Sequence, residues 1–514
     1  MHFVSRIPLL VLCTLQVFAT ERPNILFIFS DDHALQSISA YGGRLEKIAP
    51  TPNIDRIADE GAIFENSFCA NSICGPSRAC ILTGKHSHKN GFMRNGDLFD
   101  GDQMTFPKLL KASGYQTALI GKWHLSSDPQ GFDFWEVLPG QGSYYNPDFI
   151  QMDGKTKRFH GYATDIITDH SIAWLERRDK TKPFILMCQH KAPHRNWAPA
   201  PRHLTLFDDI EIPEPKTLND DYSGRSSWLK KNEMTLKHHF HWEHDLKLHG
   251  KSIVPGKIMD GMKNDEYMRM DDQQKKAWDA AYGPKNDFFL AQLRSNNLSD
   301  GQILKWKYQR YMKDYLRTIR AVDENVGRML DYLDDNGLAD NTIVIYSSDQ
   351  GFYLGEHGWY DKRWMFEQSL KMPFVIRWPG VIQAKQRPMA MIQNIDYAPT
   401  LLEVAGVKIP GSIQGKSMVP LFKGEVQDKD WRQSIYYAYY MNPGTHNVPR
   451  HDGVRTERYK LFYLPQSKEW QMFDLVKDPD EMRSVYNDPE YAEVRRMMKN
   501  TYNEQKNHYQ AVMQ

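Results

Sequence analysis

The sequence predicts an α/β fold in which a large, mainly parallel sheet forms the body of the chain and a smaller antiparallel sheet, packed with a helix, closes it. Three observations predict it. Continuous apolar runs recur at residues 24–29, 117–120, 183–188 and 342–346, the mark of strands buried on both faces. Helix-like segments, such as residues 53–62 and 304–333, lie between them, as alternating strands and helices require. Beyond Trp431 the texture changes to short alternating runs at residues 434–440, 453–455 and 459–463, followed by a helical stretch over 491–510.

In chain order, residues 1–20 resemble a secretory leader. His2 and Arg6 precede an apolar run from Ile7 to Phe18, and Val17 and Ala19 supply small residues for cleavage. That run is too short to span a bilayer, and no later stretch reaches the ~20 apolar residues of a transmembrane helix. The expected product is exported, with no membrane span: periplasmic in a bacterium, lysosomal or secreted in a eukaryote. Its remaining cysteines, Cys69, Cys74, Cys80 and Cys188, are too few for a disulfide framework. The 514 residues carry 65 basic and 64 acidic side chains, a net charge of +1, which argues against a nucleic-acid partner. With 41% hydrophobic and 25% charged residues, the composition is that of a globular protein.

Each apolar run ends in polar residues. The first gives way to Ser30, Asp31 and Asp32, and the second to Gly121, Lys122, Trp123 and His124. The third runs into Gln189, His190, Lys191 and then His194, and the fourth into Ser347, Ser348, Asp349 and Gln350. Ligands of such sheets bind beyond the carboxyl ends of the strands, so these groups together predict an active site. Residues 201–300, rich in Lys, His, Asp and Trp, break the pattern and are expected to form a polar surface insertion in a main domain of residues 21–430, with residues 431–514 as a second unit. Within the insertion, the His-rich run from His238 to His244 is either a metal site or, by the plainer reading, a solvated loop.

The most informative segment is Cys74-Gly75-Pro76-Ser77-Arg78-Ala79-Cys80-Ile81-Leu82-Thr83-Gly84-Lys85. Pro76 suits the first turn of a helix, which places Cys74 at the helix start, where partial positive charge favours an anion. Taken alone, Cys74 is either a nucleophile facing an anionic substrate or a buried structural cysteine. The whole segment resembles the signature of the formylglycine-dependent sulfatases, Cys-x-Pro-Ser-Arg followed by Leu-Thr-Gly and a basic residue. The resemblance extends over nearly the whole chain beyond the leader, through Arg22-Pro23-Asn24-Ile25, Gly121-Lys122-Trp123-His124-Leu125, the Asp349 region and Phe473-Asp474-Leu475.

That resemblance implies an alkaline-phosphatase-like sandwich, and conversion of Cys74 to formylglycine by a formylglycine-generating or anaerobic sulfatase-maturating enzyme. It also implies one divalent cation, usually Ca²⁺, held by Asp31, Asp32, Asp349 and Gln350 beneath the nucleophile, with Cys74 itself, once converted, as a further contact. Three carboxylates and an amide oxygen form a hard donor set of the kind Ca²⁺ prefers; Gln350 departs from the family's Asn or His. Arg78 matches the arginine that supports the nucleophile, and Lys122, His124, His194 and Lys362 match residues that contact sulfate or move protons. His194, assisted by Lys362, is expected to protonate the leaving sugar oxygen, and His124 to accept the proton whose loss releases sulfate. His190 competes with His194 for its role, and the Pro193-His194 context favours the latter.

For the substrate, Asp361-Lys362-Arg363 followed by Phe366-Glu367 resembles the N-acetylglucosamine-6-sulfatase branch, which acts on heparan or keratan sulfate. Asp361, Arg363 and His451 are the expected sugar contacts, the first accepting and the second donating hydrogen bonds to ring hydroxyls. The alternatives are another sulfated sugar position, phosphonate or phosphate monoester hydrolysis, and a non-catalytic chain that binds sulfated oligosaccharide.

Overall fold

The computed structural model describes residues 22–248, 263–295 and 297–513; the expected leader and His249 lie outside them. A nine-stranded sheet runs through the body of the molecule. Its centre is parallel: Thr342–Ser348, Asn24–Ser30, Phe184–His190, Gln116–Lys122 and Phe134–Leu138 lie side by side in that order. Antiparallel strands extend both edges, Phe374–Arg377 and Ala62–Ile63 on one side, Asp148–Gln151 and Thr156–Arg158 on the other.

The apolar runs are continuous because both faces of the sheet are covered. Ile25, Phe27 and Phe29 face one core with Ala79, Ile81 and Leu401, while Leu26 and Ile28 face a second with Ile54, Trp174 and Val326. Helix Asp300–Asp335, opened by a reciprocal cap between Ser299 and Gln302, serves both: Tyr311 and Tyr315 enter the first core, Val326 and Leu330 the second. The helix expected over residues 53–62 is shorter, Pro52–Asp59, and Ala62–Ile63 is an edge strand instead. Gly61 makes the change of direction possible, because a Cβ there would lie 2.0 Å from the carbonyl oxygen of Ile376.

The carboxyl-terminal sheet is antiparallel and sequential, Ser434–Tyr439, His451–Thr456, Tyr459–Leu464 and Glu469–Asp474, and helix Ala492–His508 packs on it through Met498 and Tyr502. Its first strand also supports the main body: Ala438 donates its N–H to the carbonyl of Ala70 at 3.1 Å.

Residues 201–300 differ from the expected surface insertion. Leu229, Met234, Leu236, Phe240 and Leu246 belong to the main core, and the Phe240 ring lies 4.5 Å from that of Tyr360. These apolar residues are spaced singly, so no run betrays them, and the buried charges among them are paired. Asp245 takes both arms of Arg195 at 2.7 and 2.6 Å, and Lys247 stands 3.5 Å from Asp314. The histidines serve the same packing: His239 Nδ1 meets Thr235 Oγ1 at 2.8 Å, and the His241 N–H donates to Asp245. Among the described residues, no group of metal-capable side chains gathers in the His238–His244 run.

Candidate active site

The carboxyl ends of the parallel strands bring the expected groups together. Strand Asn24–Ser30 delivers Asp31 and Asp32, strand Gln116–Lys122 ends on Lys122, and strand Thr342–Ser348 leads directly into Asp349 and Gln350. Gly121 lets Lys122 arrive: its φ is +111°, and a Cβ there would lie 1.9 Å from the Gln189 carbonyl oxygen. Helix Cys74–Thr83, buried along its whole length, points its amino end at this cluster, with Pro76 in its first turn. Two side chains fix the helix: Ser77 donates its hydroxyl to the Asp349 carbonyl, and Arg78 donates to the Lys122 carbonyl at 3.0 Å, Gln189 at 2.9 Å and Asp349 at 3.2 Å.

Ligand atoms of Asp31, Asp32, Cys74 and Asp349 all lie within 4.8 Å of one another, and each of these residues is buried. Lys122 pairs with Asp31, and Lys362 donates to Asp32 Oδ2 at 2.7 Å. Gln350 donates its amide to Asp32 at 2.6 Å, and its Oε1 is buried without a hydrogen-bond partner, as is Asp31 Oδ1. Burial pushes the Asp32 carboxyl up to about 7 against the pull of Lys362, with Asp349 and Asp361 adding to the rise. Burial likewise opposes ionisation of Asp349, but Arg78, Lys362 and Lys122 together hold it below the ordinary carboxylate range. Converging carboxylates and two orphaned oxygens fit a hard cation.

Burial pushes the Cys74 thiol up to about 12, so the unmodified side chain is a protonated thiol rather than a thiolate nucleophile. His194 Nε2 stands 3.8 Å from Asp32 Oδ2, and its Nδ1 donates to the Arg195 carbonyl at 2.6 Å. His124, only partly buried by its exposure, leaves Nδ1 unpartnered; burial and the cations Lys122 and Arg78 lower its pKa to about 2. His190 packs instead against Cys188, its Nε2 3.7 Å from Sγ.

On the other side of Lys362 the chain is strained. Asp361 and Arg363 both adopt left-handed backbone, at φ +75° and +94°, a conformation costing on the order of 1–3 kcal/mol per residue. The turn is held by Asp361 Oδ1, which accepts the Lys362 N–H at 2.8 Å and Arg363 Nε at 2.9 Å, and by Tyr437, whose hydroxyl donates to the Arg363 carbonyl at 2.6 Å. His446 completes the group, its Nε2 3.3 Å from Asp361 Oδ2, and Arg363 reaches the Tyr439 hydroxyl at 3.2 Å.

His451 does not join them. It is fully buried, donates Nδ1–H to the Pro449 carbonyl at 2.8 Å and accepts the Met365 N–H at Nε2, 3.1 Å away. With both nitrogens occupied and the ring stacked on Trp364 at 5.2 Å, it supports the turn from behind. His446 is the histidine that faces Asp361. Its only sequence signal was a polar turn, Gly444 to Asn447, ahead of the strand. Lys191, one residue past strand Phe184–His190, also went unassigned; it is buried beside Tyr144, its ammonium 4.6 Å from the ring centroid.

Comparison with known proteins agrees with this geometry. Residues 23–407 match the family described as Sulfatase, and residues 355–508 match N-sulphoglucosamine sulphohydrolase, C-terminal. The N-acetylglucosamine-6-O-sulfatase of Bacteroides thetaiotaomicron is 49% identical over 478 residues, covering 92% of this chain and 84% of that protein. The human N-acetylglucosamine-6-sulfatase is 25% identical over 82% of this chain and 68% of its own length. Among solved structures, that of BT4656 in complex with its substrate D-glucosamine-2-N,6-O-disulfate superimposes with a TM-score of 0.90 at 48% identity, covering 95% of this chain and 98% of that one. A phosphonate monoester hydrolase from Silicibacter pomeroyi, 19% identical with a TM-score of 0.70, covers 95% of this chain and 96% of its own and shares the fold alone. The strand-end carboxylates, the buried Cys74 helix and these matches together make the chain a member of the sulfatase family, a sulfuric ester hydrolase.

Proposed function

We propose that this sulfatase removes the 6-O-sulfate of N-acetylglucosamine units in heparan sulfate, heparin-type or keratan-type glycosaminoglycans, as an exported enzyme carrying formylglycine at position 74 and one Ca²⁺. The observation that carries the reading is the strained Asp361–Arg363 turn. It sets a carboxylate, a guanidinium and the His446 imidazole immediately beside Lys362, which is itself paired with Asp32 next to Cys74. Acceptor and donor held this way suit the hydroxyls of one sugar ring, and a wrong epimer would leave buried groups unpaired. The glucosamine 6-sulfatases among the relatives support the same substrate class.

Asp31, Asp32, Asp349 and Gln350 would hold the cation, which when bound would supply Lewis-acid polarisation next to residue 74. The elevated thiol pKa of Cys74 supports the need for conversion. Arg78, Lys122 and Lys362 present fixed positive charge where negative charge develops. His194 is kept neutral by burial, with the cations Lys122 and Lys191 acting in the same direction. Its Nδ1–H is committed to Arg195, so Nε2 is the atom that carries a proton to the leaving oxygen; an anionic ester beside it raises its proton affinity. His124, neutral with a free Nδ1, accepts the proton released with sulfate. Export rests on the leader pattern of residues 1–20; separately, no helix among the described residues is long and apolar enough to cross a membrane.

The test is sulfate release from 6-sulfo-N-acetylglucosamine, compared with sugars sulfated at the 2-, 3- or 4-oxygen, using protein whose Cys74 peptide has been shown by mass to be converted. The expected result is a clear preference for the 6-sulfate. Preference for another position would overturn the substrate assignment.

A further inference from the structure

Among the arginines and lysines gathered around the site, all but one have a carboxylate. Arg78 meets Asp349 at 3.2 Å, Lys362 meets Asp32, Lys122 meets Asp31, Arg363 holds Asp361 at 2.9 Å and Arg195 holds Asp245 at 2.6 Å. Lys191 is the exception. It is 3% exposed, and its ammonium makes no hydrogen bond or ion pair with any described residue. Its carbonyl accepts the His194 N–H at 3.0 Å, its ammonium rests over the Tyr144 ring, and the Tyr144 hydroxyl donates to the His194 carbonyl. Lys191, Tyr144 and His194 therefore form one unit at the end of the strand. Lys191 lies within electrostatic reach of Glu266 and Asp32, and in turn acts on Lys122 and His194. Glu266 does not pair with it directly; that carboxylate accepts the N–H groups of Tyr144 and Tyr145 at 2.8 and 3.0 Å.

A buried ammonium without a counter-ion is unfavourable, and the penalty is relieved when an anion arrives. Arg78, Lys122 and Lys362 share their charge with carboxylates of the protein, whereas Lys191 has no carboxylate to share with.

We propose that Lys191 is a further substrate-contacting residue: its ammonium, set on Tyr144 beside His194 and lacking a carboxylate of its own, takes an oxygen of the sulfate group that the enzyme transfers. The inference rests on the sulfatase reading of the site. The cation–π seat on Tyr144 fixes the ammonium without neutralising it, which leaves its full charge for the ligand.

The test compares matured Lys191→Met, Lys191→Gln and Lys191→Arg enzymes with the native one, using inorganic sulfate as a competitive inhibitor. Methionine retains the apolar stem over Tyr144, and glutamine carries the same test if Lys191→Met does not accumulate as folded protein. Losing one charge-assisted contact should raise both KM for the sulfated sugar and Ki for inorganic sulfate by about 10- to 100-fold, with kcat less affected. Lys191→Arg should recover most of the loss. An active Lys191→Met or Lys191→Gln enzyme with native Ki for sulfate overturns the inference, even if its melting temperature falls, because that would mark a purely structural lysine. An intermediate case, in which Ki is native but KM rises only for sugars bearing a second anionic group, also overturns it, by moving the contact off the transferred sulfate. Native enzyme that released no sulfate from any ester would remove the site reading and this inference together.

Discussion

On its nucleophile side the pocket is walled by strand ends and one buried helix, with Asp31, Asp32, Lys122 and Asp349 each within a residue or two of a strand in the parallel sheet. On the side proposed to face the sugar, the wall is a strained loop, Asp361 to Arg363, braced by residues from the carboxyl-terminal segment, His446, Tyr437 and Tyr439. The first wall inherits its precision from the sheet, where a shift of any one group would disturb the registered strands on either side. The second wall gains its shape from side chains that lock a loop, so it can be altered without touching the sheet. On the proposed reading, sugar choice rests on this loop and reaction chemistry mainly on the strand ends, with Lys362 joining the two through its pair with Asp32.

That separation can be broken or sharpened experimentally. The largest effect is expected on the nucleophile side: Cys74→Ala should lower turnover by about 10⁵-fold or more on every substrate while the melting temperature stays near native, since alanine fits the same buried helix start. Substantial residual turnover would show that another group attacks sulfur. Next comes the cation. Exhaustive chelation should suppress activity on sugar and aryl sulfates alike, Ca²⁺ should restore it better than Zn²⁺, and Ca²⁺ should raise the melting temperature of chelated native protein but not of Asp31→Asn. An unchanged rate in protein shown metal-free by elemental analysis would refute the ligand set.

Smaller and more selective losses belong to the other wall. Asp361→Asn and Arg363→Met should each reduce kcat/KM on 6-sulfo-N-acetylglucosamine by about 100-fold, and on a generic aryl sulfate by under about 10-fold. Equal losses on both would merge the two walls into one. The smallest contrast lies between two histidines. His446→Ala should cost about 10-fold in sugar selectivity with little change in unfolding free energy, whereas His451→Ala should cost about 2–4 kcal/mol of stability and leave selectivity intact. Reversal of that pattern, read by denaturant melts and paired kinetics, would return His451 to the pocket.

The two walls also differed in how far the sequence disclosed them. Continuous apolar runs ending in charged residues located the strands and the groups at their tips, because a strand buried on both faces leaves a local signature. The helix start at Cys74 was equally local, with Pro76 two residues on. The sugar side depends on which distant side chains meet the Asp361 loop, and spacing along the chain carries no such information. His451 was the better-flanked histidine in sequence, yet both of its nitrogens are satisfied by backbone; His446, five residues earlier, reaches Asp361. The described part of residues 201–300 conceals its packing for a related reason. Their apolar residues come singly, and the charges that made the segment look solvated, Asp245 and Lys247 among them, are buried in pairs.

The complete burial of helix Cys74–Thr83 has a consequence for how the enzyme is made. Cys74 is 1% exposed, and the residues that would identify it to a modifying enzyme, from Gly75 to Thr83, are all interior. Once the helix has docked, with Ser77 donating to the Asp349 carbonyl and accepting from the Asn394 amide at 2.8 Å, no catalyst can grip that segment without unfolding its surroundings. The proposed conversion of Cys74 would therefore have to precede folding, on a chain still extended. Under that proposal, a molecule that folds first would keep a buried thiol at position 74, and specific activity in a preparation would measure the order of the two events as much as the quality of the site.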